Sequence, residues 1–263
     1  MKTKLLLILF FVSQLIQSQV RVGVKLGLLA TDVNVKAATS LNELEIPTAR
    51  KLNYSGGITL EYEFLQNLMG IRTGIEYAQK GYNVDLDKMK QLYNDIKNIN
   101  GDWSVALQYL ELPVNMYYKL GPVSINMGPY LGYALGGLEK YDFDVLYNDG
   151  TSEVISGSED LVPVNGEVDA DLANLENEDT PLIKYFNQLD MGINLGLGFN
   201  LKDIQINVQY QQGLTNLTPD LINEPDFDPA DLISKNNVLS VELIYYFRLG
   251  KKGGYRTLTP NRN

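Results

Sequence analysis

Gln188-Leu-Asp-Met-Gly-Ile-Asn-Leu-Gly-Leu-Gly-Phe-Asn-Leu201 is the stretch that decides the fold. Its odd positions are all apolar, and its even positions are all polar or glycine. After Lys202-Asp203 the same alternation resumes and continues from Ile204 to Gln211. Because a period of two is typical of β-strands, the sequence predicts two antiparallel strands joined by a tight turn.

The length of these strands indicates a membrane. Each exceeds the roughly five or six residues of an ordinary globular strand. Their length matches the roughly 9–11 residues with which a tilted strand crosses a bilayer. An apolar face toward lipid and a polar face toward the interior is the pattern of a transmembrane barrel. A hairpin of a soluble β-sandwich also alternates, so this hairpin alone leaves both folds open.

Six further segments alternate in the same way and are predicted strands: 20–28, 54–64, 69–82, 103–120, 123–138 and 238–249. Between 84 and 99 the apolar residues recur instead at helical spacing, which predicts a short helix in a loop. Pro113 lies inside a predicted strand and has no amide hydrogen, so we expect a bulge or local irregularity there.

The predicted connections alternate strictly in length. The short ones are 66–67, 121–122 and 202–203, and the long ones are 30–52, 83–102, 139–187 and 215–237. Outer-membrane barrels have short periplasmic turns and long external loops, and an even strand count. A sandwich predicts neither regularity. We therefore predict an all-β protein, an eight-stranded antiparallel up-and-down transmembrane β-barrel over 19–249. It would lie in a bacterial outer membrane, surrounded by lipid, with both termini periplasmic.

The two ends of the chain have different compositions. Residues 1–4 are basic, 5–12 form an unbroken apolar run, and Ser18 follows a more polar stretch. This is typical of a secretory signal peptide over 1–18, although Ile16 occupies a position where a small residue is preferred. A transmembrane anchor is the alternative. Residues 250–263 form a polar tail.

Charged residues recur on the face predicted to point inward. The acids are Glu61, Glu63, Glu76, Glu111, Asp190 and Glu242, and the bases are Arg21, Lys25, Arg72, Lys80, Lys119 and Arg248. An eight-stranded barrel is just wide enough for side chains to fill it. Since buried charges must be paired, the balance predicts a salt-bridged, filled lumen. A proton or ion path through the same network is the alternative.

Aromatic side chains are expected at the two membrane interfaces. Near the long loops these are Tyr54, Tyr82, Trp103, Tyr133 and Tyr141, and near the turns or the C-terminus Phe64, Tyr118, Phe199, Tyr245 and Phe247. The alternative is that aromatic residues simply reflect β-propensity.

Composition excludes several chemistries. The 263 residues carry a net charge of −10 and contain no Cys and no His. Nucleophile activation by imidazole is therefore excluded, and the usual transition-metal ligands are missing. We predict no enzyme activity and no cofactor. Nucleic acid is an unsuitable partner for so acidic a chain.

The acidic connection 139–187 carries one metal hypothesis. Oxygen ligands for Ca²⁺ could come from Asp169, Asp171, Asn174, Glu176, Glu178 and Asp179. The spacing lacks the glycine of an EF-hand loop, and a solvated loop is the alternative.

Four segments resemble a known family. They are Val22-Gly-Val-Lys-Leu-Gly27, Tyr109-Leu-Glu-Leu-Pro-Val-Asn-Met-Tyr-Tyr-Lys119, Gly128-Pro-Tyr-Leu-Gly-Tyr133 and Gln209-Tyr-Gln-Gln-Gly-Leu-Thr-Asn216. They resemble the PorT-like outer-membrane β-barrels of Bacteroidota. The resemblance implies an eight-stranded outer-membrane barrel, and some relatives serve the type IX secretion system. The connection 139–187 is longer than usual in that family, and the tail after Phe247 is unusual.

Two classes of function follow from these features. The first is a monomeric structural or protein-interaction barrel that contacts envelope or secretion-system proteins. The second is a small porin-like channel for ions or solutes. The predicted filling of the lumen favours the first class. A subunit required for protein secretion is a third hypothesis.

Overall fold

The computed structural model describes residues 19–37, 44–45, 47–65, 68–169, 185–222 and 232–248. The elements are β1 (Gln19–Ala37), β2 (Leu44–Glu45), β3 (Thr48–Leu65), β4 (Met69–Val84), α1 (Leu86–Leu92), β5 (Ile96–Leu120), β6 (Val123–Tyr147), β7 (Ser152–Val164), β8 (Glu167–Asp169), β9 (Tyr185–Asn187), β10 (Leu189–Leu201), β11 (Ile204–Gly213), β12 (Asp220–Ile222) and β13 (Leu232–Arg248). The predicted signal peptide, the turn 66–67 and the tail 250–263 lie outside the described residues.

Eight strands form a closed ring. In chain order β1, β3, β4, β5, β6, β10, β11 and β13 each pair antiparallel with the next. β13 then pairs antiparallel with β1, from Arg21 opposite Arg248 to Ala37 opposite Leu232. Because closure satisfies the backbone between neighbouring strands, the ring can stand in lipid without an exposed edge. The predicted eight-stranded antiparallel barrel is confirmed.

The two ends of the barrel differ. The turn end carries the tight turns at 121–122 and 202–203, as predicted, together with Gln19 and Arg248. Gly121 and Lys202 adopt left-handed backbone there, with φ of 63° and 53°. The opposite end, called the loop end here, carries α1 and the strands β7 to β9. Among the described residues, all features outside the ring that are larger than a turn therefore lie at the loop end.

The outer surface of the ring is apolar and the inner surface is polar. Along β10 the odd residues are exposed and alternate with buried even residues, as the alternation predicted. Leu195 in the middle of β10 is 54% exposed, whereas its neighbour Asn194 is 1% exposed. A continuous exposed apolar band of this kind is the lipid-facing surface of a membrane barrel. No helix in the described part of the chain is long and apolar enough to cross a membrane.

Replacing Leu195 by arginine tests this assignment of the lipid face. Near the midplane of a bilayer the substitution is expected to lower the free energy of unfolding by about 2–4 kcal/mol. Leu92 on α1 is the matched control, since it is 55% exposed but lies outside the ring. Leu92→Arg should change the stability by no more than about 0.5 kcal/mol. Urea unfolding of both variants in lipid vesicles would make the comparison, and equal effects would contradict a lipid-facing band.

The strands continue well into segments that the sequence predicted to be loops. β1 extends to Ala37, β5 begins at Ile96, and β13 begins at Leu232. The predicted loop 139–187 contains the end of β6 and all of β7, β8 and β9, so these boundaries were wrong. Beyond the lipid band the apolar residues move to the inner face, which interrupts the sequence pattern without ending the strand. In β1 the exposed Leu28 is followed by the buried Leu29.

A three-stranded sheet projects from the loop end. It consists of residues 96–104 of β5, 138–147 of β6, and β7, and α1 packs against it; we call this unit the sheet extension. Its core includes Leu86, Met89, Ile99, Val145 and Ile155. The short helix predicted within 84–99 is confirmed, and it spans 86–92. Asp85 caps that helix by accepting the amide N–H of Lys88, which lowers the pKa of the Asp85 carboxyl.

A β-bulge marks the junction between ring and extension. Gln108 pairs with Gly136 and Tyr109 pairs with Ala134, so Leu135 has no direct partner on β5. Because of this extra residue, even-numbered side chains point inward before the bulge in β6, whereas odd-numbered side chains take that direction after it. The expected irregularity at Pro113 also occurs, because the ladder between β4 and β5 is interrupted there without a change of register.

Candidate functional site

The lumen holds the predicted charged residues. Eleven of the twelve have described side chains, and these form three clusters along the barrel; the side chain of Arg248 lies outside the described residues. From the turn end to the loop end, the clusters are Arg21, Glu61, Glu63, Arg72 and Lys119, then Lys25, Glu76 and Glu242, then Lys80, Glu111 and Asp190. Every ion pair within them joins residues from different strands.

The turn-end cluster is centred on Glu61, whose side chain is fully buried. Its carboxylate pairs with Arg21, with Arg72 at 3.1 Å and with Lys119 at 3.2 Å. Lys119 also reaches Glu63 at 2.9 Å. One carboxylate therefore holds three cations from three strands.

The middle cluster places one lysine between two carboxylates. Lys25 Nζ contacts Glu76 and lies 3.3 Å from Glu242 Oε1. Asn207 Nδ2 donates a hydrogen bond to the other oxygen of Glu242 at 2.9 Å. Lys25, Arg72, Glu76 and Glu242 help to line a cavity of about 10 Å³. Since one water needs about 10–15 Å³, this cavity has room for a single water at most.

The loop-end cluster is the most deeply buried. Lys80 Nζ lies 2.5 Å from Glu111 Oε1 and 3.0 Å from Asp190 Oδ2, and neither Lys80 nor Asp190 has exposed side-chain surface. Asp190 also accepts hydrogen bonds from Asn236 Nδ2 at 2.8 Å and from the Tyr130 hydroxyl at 3.1 Å. The Lys80 ammonium lies 4.5 Å from the centre of the Tyr130 ring. This cluster closes the barrel just below the loop end.

Uncharged side chains fill the space between the clusters. Asn126 Nδ2 donates to Asn207 Oδ1 at 2.8 Å, and the Tyr246 hydroxyl donates to Gln205 Oε1 at 3.1 Å. Glycines on the inner face give these groups room. A Cβ atom at Gly198 would overlap the Gln205 side-chain amide. Such a contact would displace the amide, so the glycine permits the filling of the lumen.

An apolar cap seals the loop end above the charges. It consists of Val33, Val35, Val105, Leu107, Tyr109, Ala134, Leu161, Phe186 and Leu217. Leu161, Phe186 and Leu217 come from segments predicted to be loops. They pack onto ring residues such as Tyr109, whose ring meets Phe186 edge to face at 6.4 Å. The cap places a second, water-excluding layer over the polar lumen.

The side chain of Asn187 links the segments of the cap through hydrogen bonds. Its Nδ2 donates to the carbonyl oxygens of Asn216 and Thr218, both at 3.0 Å. Its Oδ1 accepts the amide N–H of Gly166 at 3.1 Å. One side chain thus joins three segments that are distant in sequence. Sequence reasoning missed the cap; the only local signal was the inward apolar alternation of Val33 and Val35.

Seven of the ten predicted aromatic residues lie on the outer face of the ring. Tyr54, Tyr133, Phe64, Tyr118, Phe199, Tyr245 and Phe247 are exposed on the outer face of the ring. Trp103 and Tyr141 belong instead to the sheet extension, and Tyr82 on β4 packs against its core. Trp103 stacks on Phe143 at 5.8 Å and donates its indole N–H to Glu139 Oε1 at 2.5 Å. Their placement at the membrane interface stays a prediction.

The calcium hypothesis stays a prediction. Asp171, Asn174, Glu176, Glu178 and Asp179 lie outside the described residues, and Asp169 ends β8 with an undescribed side chain. Among residues whose positions are described, no group of three or more acidic, His or Cys side chains could hold a metal ion.

Comparison with known proteins gives one family match. The model of the family described as "Outer membrane protein beta-barrel domain" matches residues 13–218. No match to a curated protein reaches significance.

Three solved structures are similar over most of the chain. Neisserial surface protein A is 13% identical, with 84% of this chain and 97% of that chain covered and a TM-score of 0.30. The outer membrane protein AlkL is 13% identical, with 88% and 92% covered and a TM-score of 0.40. A major outer membrane protein from Thermus thermophilus is 12% identical, with 87% and 99% covered and a TM-score of 0.35.

Proposed function

Because the chain belongs to the outer membrane protein beta-barrel domain family, we propose that it acts as a closed structural or protein-interaction barrel. The observation that carries this proposal is the filled lumen. Three ion-paired clusters occupy it, a cavity of about 10 Å³ remains in the middle one, and the apolar cap lies above them. A channel for ions or solutes would need a continuous wet path, and this filling argues against one.

The loop end is proposed to face the outside of the cell. Short turns and both described chain ends lie at the other end of the ring, which in outer-membrane barrels is the periplasmic end. Residues 1–18 would then be a signal peptide that directs the chain through the inner membrane. In this orientation the sheet extension and the cap form the surface that a partner meets.

We propose more specifically that the protein has a PorT-like role. The two most specific motifs of that resemblance, Leu110–Pro113 and Gly128–Tyr133, lie side by side on β5 and β6. Leu110 pairs with Tyr133 and Leu112 with Leu131. The resemblance of both motifs to PorT-like sequences supports the proposal. We propose a monomer in outer-membrane lipid that contacts envelope or type IX secretion proteins in a Bacteroidota cell.

Cysteine labelling tests the orientation. The chain contains no Cys, so Asn148→Cys in the β6–β7 turn and Lys202→Cys in a short turn each provide a single thiol. We expect a membrane-impermeant maleimide to label the Asn148 variant on intact cells. The Lys202 variant should react only after the outer membrane is permeabilised. The reverse pattern would place the sheet extension in the periplasm and overturn a surface role.

A further inference from the structure

One edge of β7, called the free edge here, has no partner strand along most of its length in the described part of the chain, and it has no role in closing the barrel. Residues 152–161 of β7 pair with β6 on one side. β9 pairs with β7 only at 162–164, beyond the stretch that pairs with β6. Within the described part of the chain, the edge from Ser152 to Asp160 has no neighbouring strand, which gives roughly 30 Å of strand edge. Natural sheets cover or protect such edges, or use them to add a strand from a partner.

The surface around this edge is strongly acidic. Residues 139–169 contain nine acids and one base, Lys140. Glu139 is buried and the side chain of Asp169 is not described; the other seven acids are Asp142, Asp144, Asp149, Glu153, Glu159, Asp160 and Glu167. Asp142, Asp144, Glu153 and Asp160 are exposed. Their field would raise the local concentration of a cationic partner and would repel an acidic one.

We propose that the free edge of β7 binds an extended segment of a partner protein that carries basic side chains. The inference deepens the proposed interaction function and rests on it. Backbone hydrogen bonds to β7 would provide affinity, and alternate side chains would provide selectivity, as in strand addition to other sheets. Val154, which is 71% exposed, offers an apolar contact along the same edge.

A shallow groove beside the edge would receive one set of the partner's side chains. It has a volume of about 420 Å³ and lies on the sheet face that includes Ser156 and Ser158 of β7. Its lining also includes Asp102, Ser104, Asp142 and the single base Lys140. Hydroxyls and carboxylates beside a strand edge suit lysine or arginine side chains from a neighbouring strand.

The alternative occupant to consider for this edge is the chain's own segment 170–184, which lies outside the described residues. Its sequence contains four acids (Asp171, Glu176, Glu178 and Asp179) and one base. Like charges on adjacent strands are destabilising, and Pro181 removes one backbone donor. Charge therefore favours a basic external segment over this acidic internal one.

The only tryptophan in the chain can report binding. Trp103 pairs with Tyr141 across β5 and β6, and Tyr141 pairs with Gly157 across β6 and β7. The Tyr141 ring covers Gly157, since a Cβ there would overlap the Tyr141 hydroxyl oxygen. A strand added at Gly157 would therefore perturb the row that contains Trp103.

The test titrates the full-length protein in detergent micelles with peptides of about ten residues, the length that the edge can pair. One peptide alternates lysine and valine, a second alternates glutamate and valine, and a third is the first with alternate backbone amides methylated. We expect a saturable change in Trp103 fluorescence with the first peptide only. Equal binding of the methylated peptide would mean charge attraction without strand addition and would overturn the proposal, as would no binding of the first.

Matched charge reversals locate the site. Asp142→Lys combined with Asp160→Lys should weaken binding of the lysine-valine peptide by about tenfold or more. Asp203→Lys lies in the turn 202–203, at the opposite end of the barrel from the edge, and should leave binding unchanged. Retained heat-dependent gel mobility would establish that each variant is folded. A deletion of 170–184 that raises the affinity tenfold would instead make that segment the occupant and overturn the proposal.

The outcome is separable from that of the proposed function. Peptide binding in micelles requires neither the orientation nor a closed lumen. Failure to bind, together with a silent barrel and external labelling at residue 148, would reject the docking edge alone.

Discussion

Replacing Lys80 by methionine is expected to lower the free energy of unfolding by about 3–5 kcal/mol, the cost of breaking a buried ion pair from one side. Methionine keeps most of the volume and removes only the ammonium group. Glu111 and Asp190 then face each other's charge in a site with almost no exposed surface. Asp190 keeps its hydrogen bonds from Asn236 and Tyr130, so most of the penalty should fall on Glu111.

A variant that lacks all three charges of the cluster distinguishes the effect of an unpaired charge from the effect of a changed side-chain shape. Combining Lys80→Met with Glu111→Gln and Asp190→Asn removes all three charges and should recover most of the lost stability. Urea unfolding in lipid vesicles, followed by tryptophan fluorescence and by gel mobility, measures all three proteins. A loss below about 1 kcal/mol for Lys80→Met would mean that the cluster is hydrated, contrary to the filled lumen.

Replacing Glu61 by glutamine is the second large change, and we expect it to cost about 3–5 kcal/mol. Glutamine has nearly the same shape, but it leaves Arg21, Arg72 and Lys119 clustered around a neutral amide. Glu63 neutralises part of this excess through Lys119. The remaining repulsion among the three cations acts in the part of the lumen nearest the turn end.

The control for Glu61→Gln is the same substitution at Glu167, which is exposed on β8. It should change stability by no more than about 0.5 kcal/mol. Added salt should leave the loss in the Glu61 variant largely unchanged, because buried charges are screened little. Two variants of equal stability would contradict the assigned centre of this cluster.

The part of the barrel within lipid was predictable because the bilayer imposes one rule on every strand. Leu195 and its apolar neighbours must face outward, so Asn194 and Asp190 must face inward. A slip of the strand register by one residue would turn all the inward polar side chains of that strand toward lipid. The inward direction of Lys80 and Glu61 followed from that alternation alone.

The sequence could not provide the features that depend on distant contacts. The partner of Lys80 is set by the register around the ring, and Asp190 lies 110 residues away from it in the chain. Phe186 and Leu217 join the apolar cap from short segments with no periodicity. Strand ends were misplaced because the apolar residues change faces between Leu28 and Leu29, where the strand leaves the lipid band.

Ionic conductance tests the central claim, the closed lumen, most directly. The refolded protein, with its folded state established by the mobility difference between boiled and unboiled samples, would be inserted in a planar bilayer for single-channel recording. The filled lumen and its cap predict silence across the tested voltages. Steady unitary current steps would contradict the claim, and the paired charges would then have to line a conducting pore.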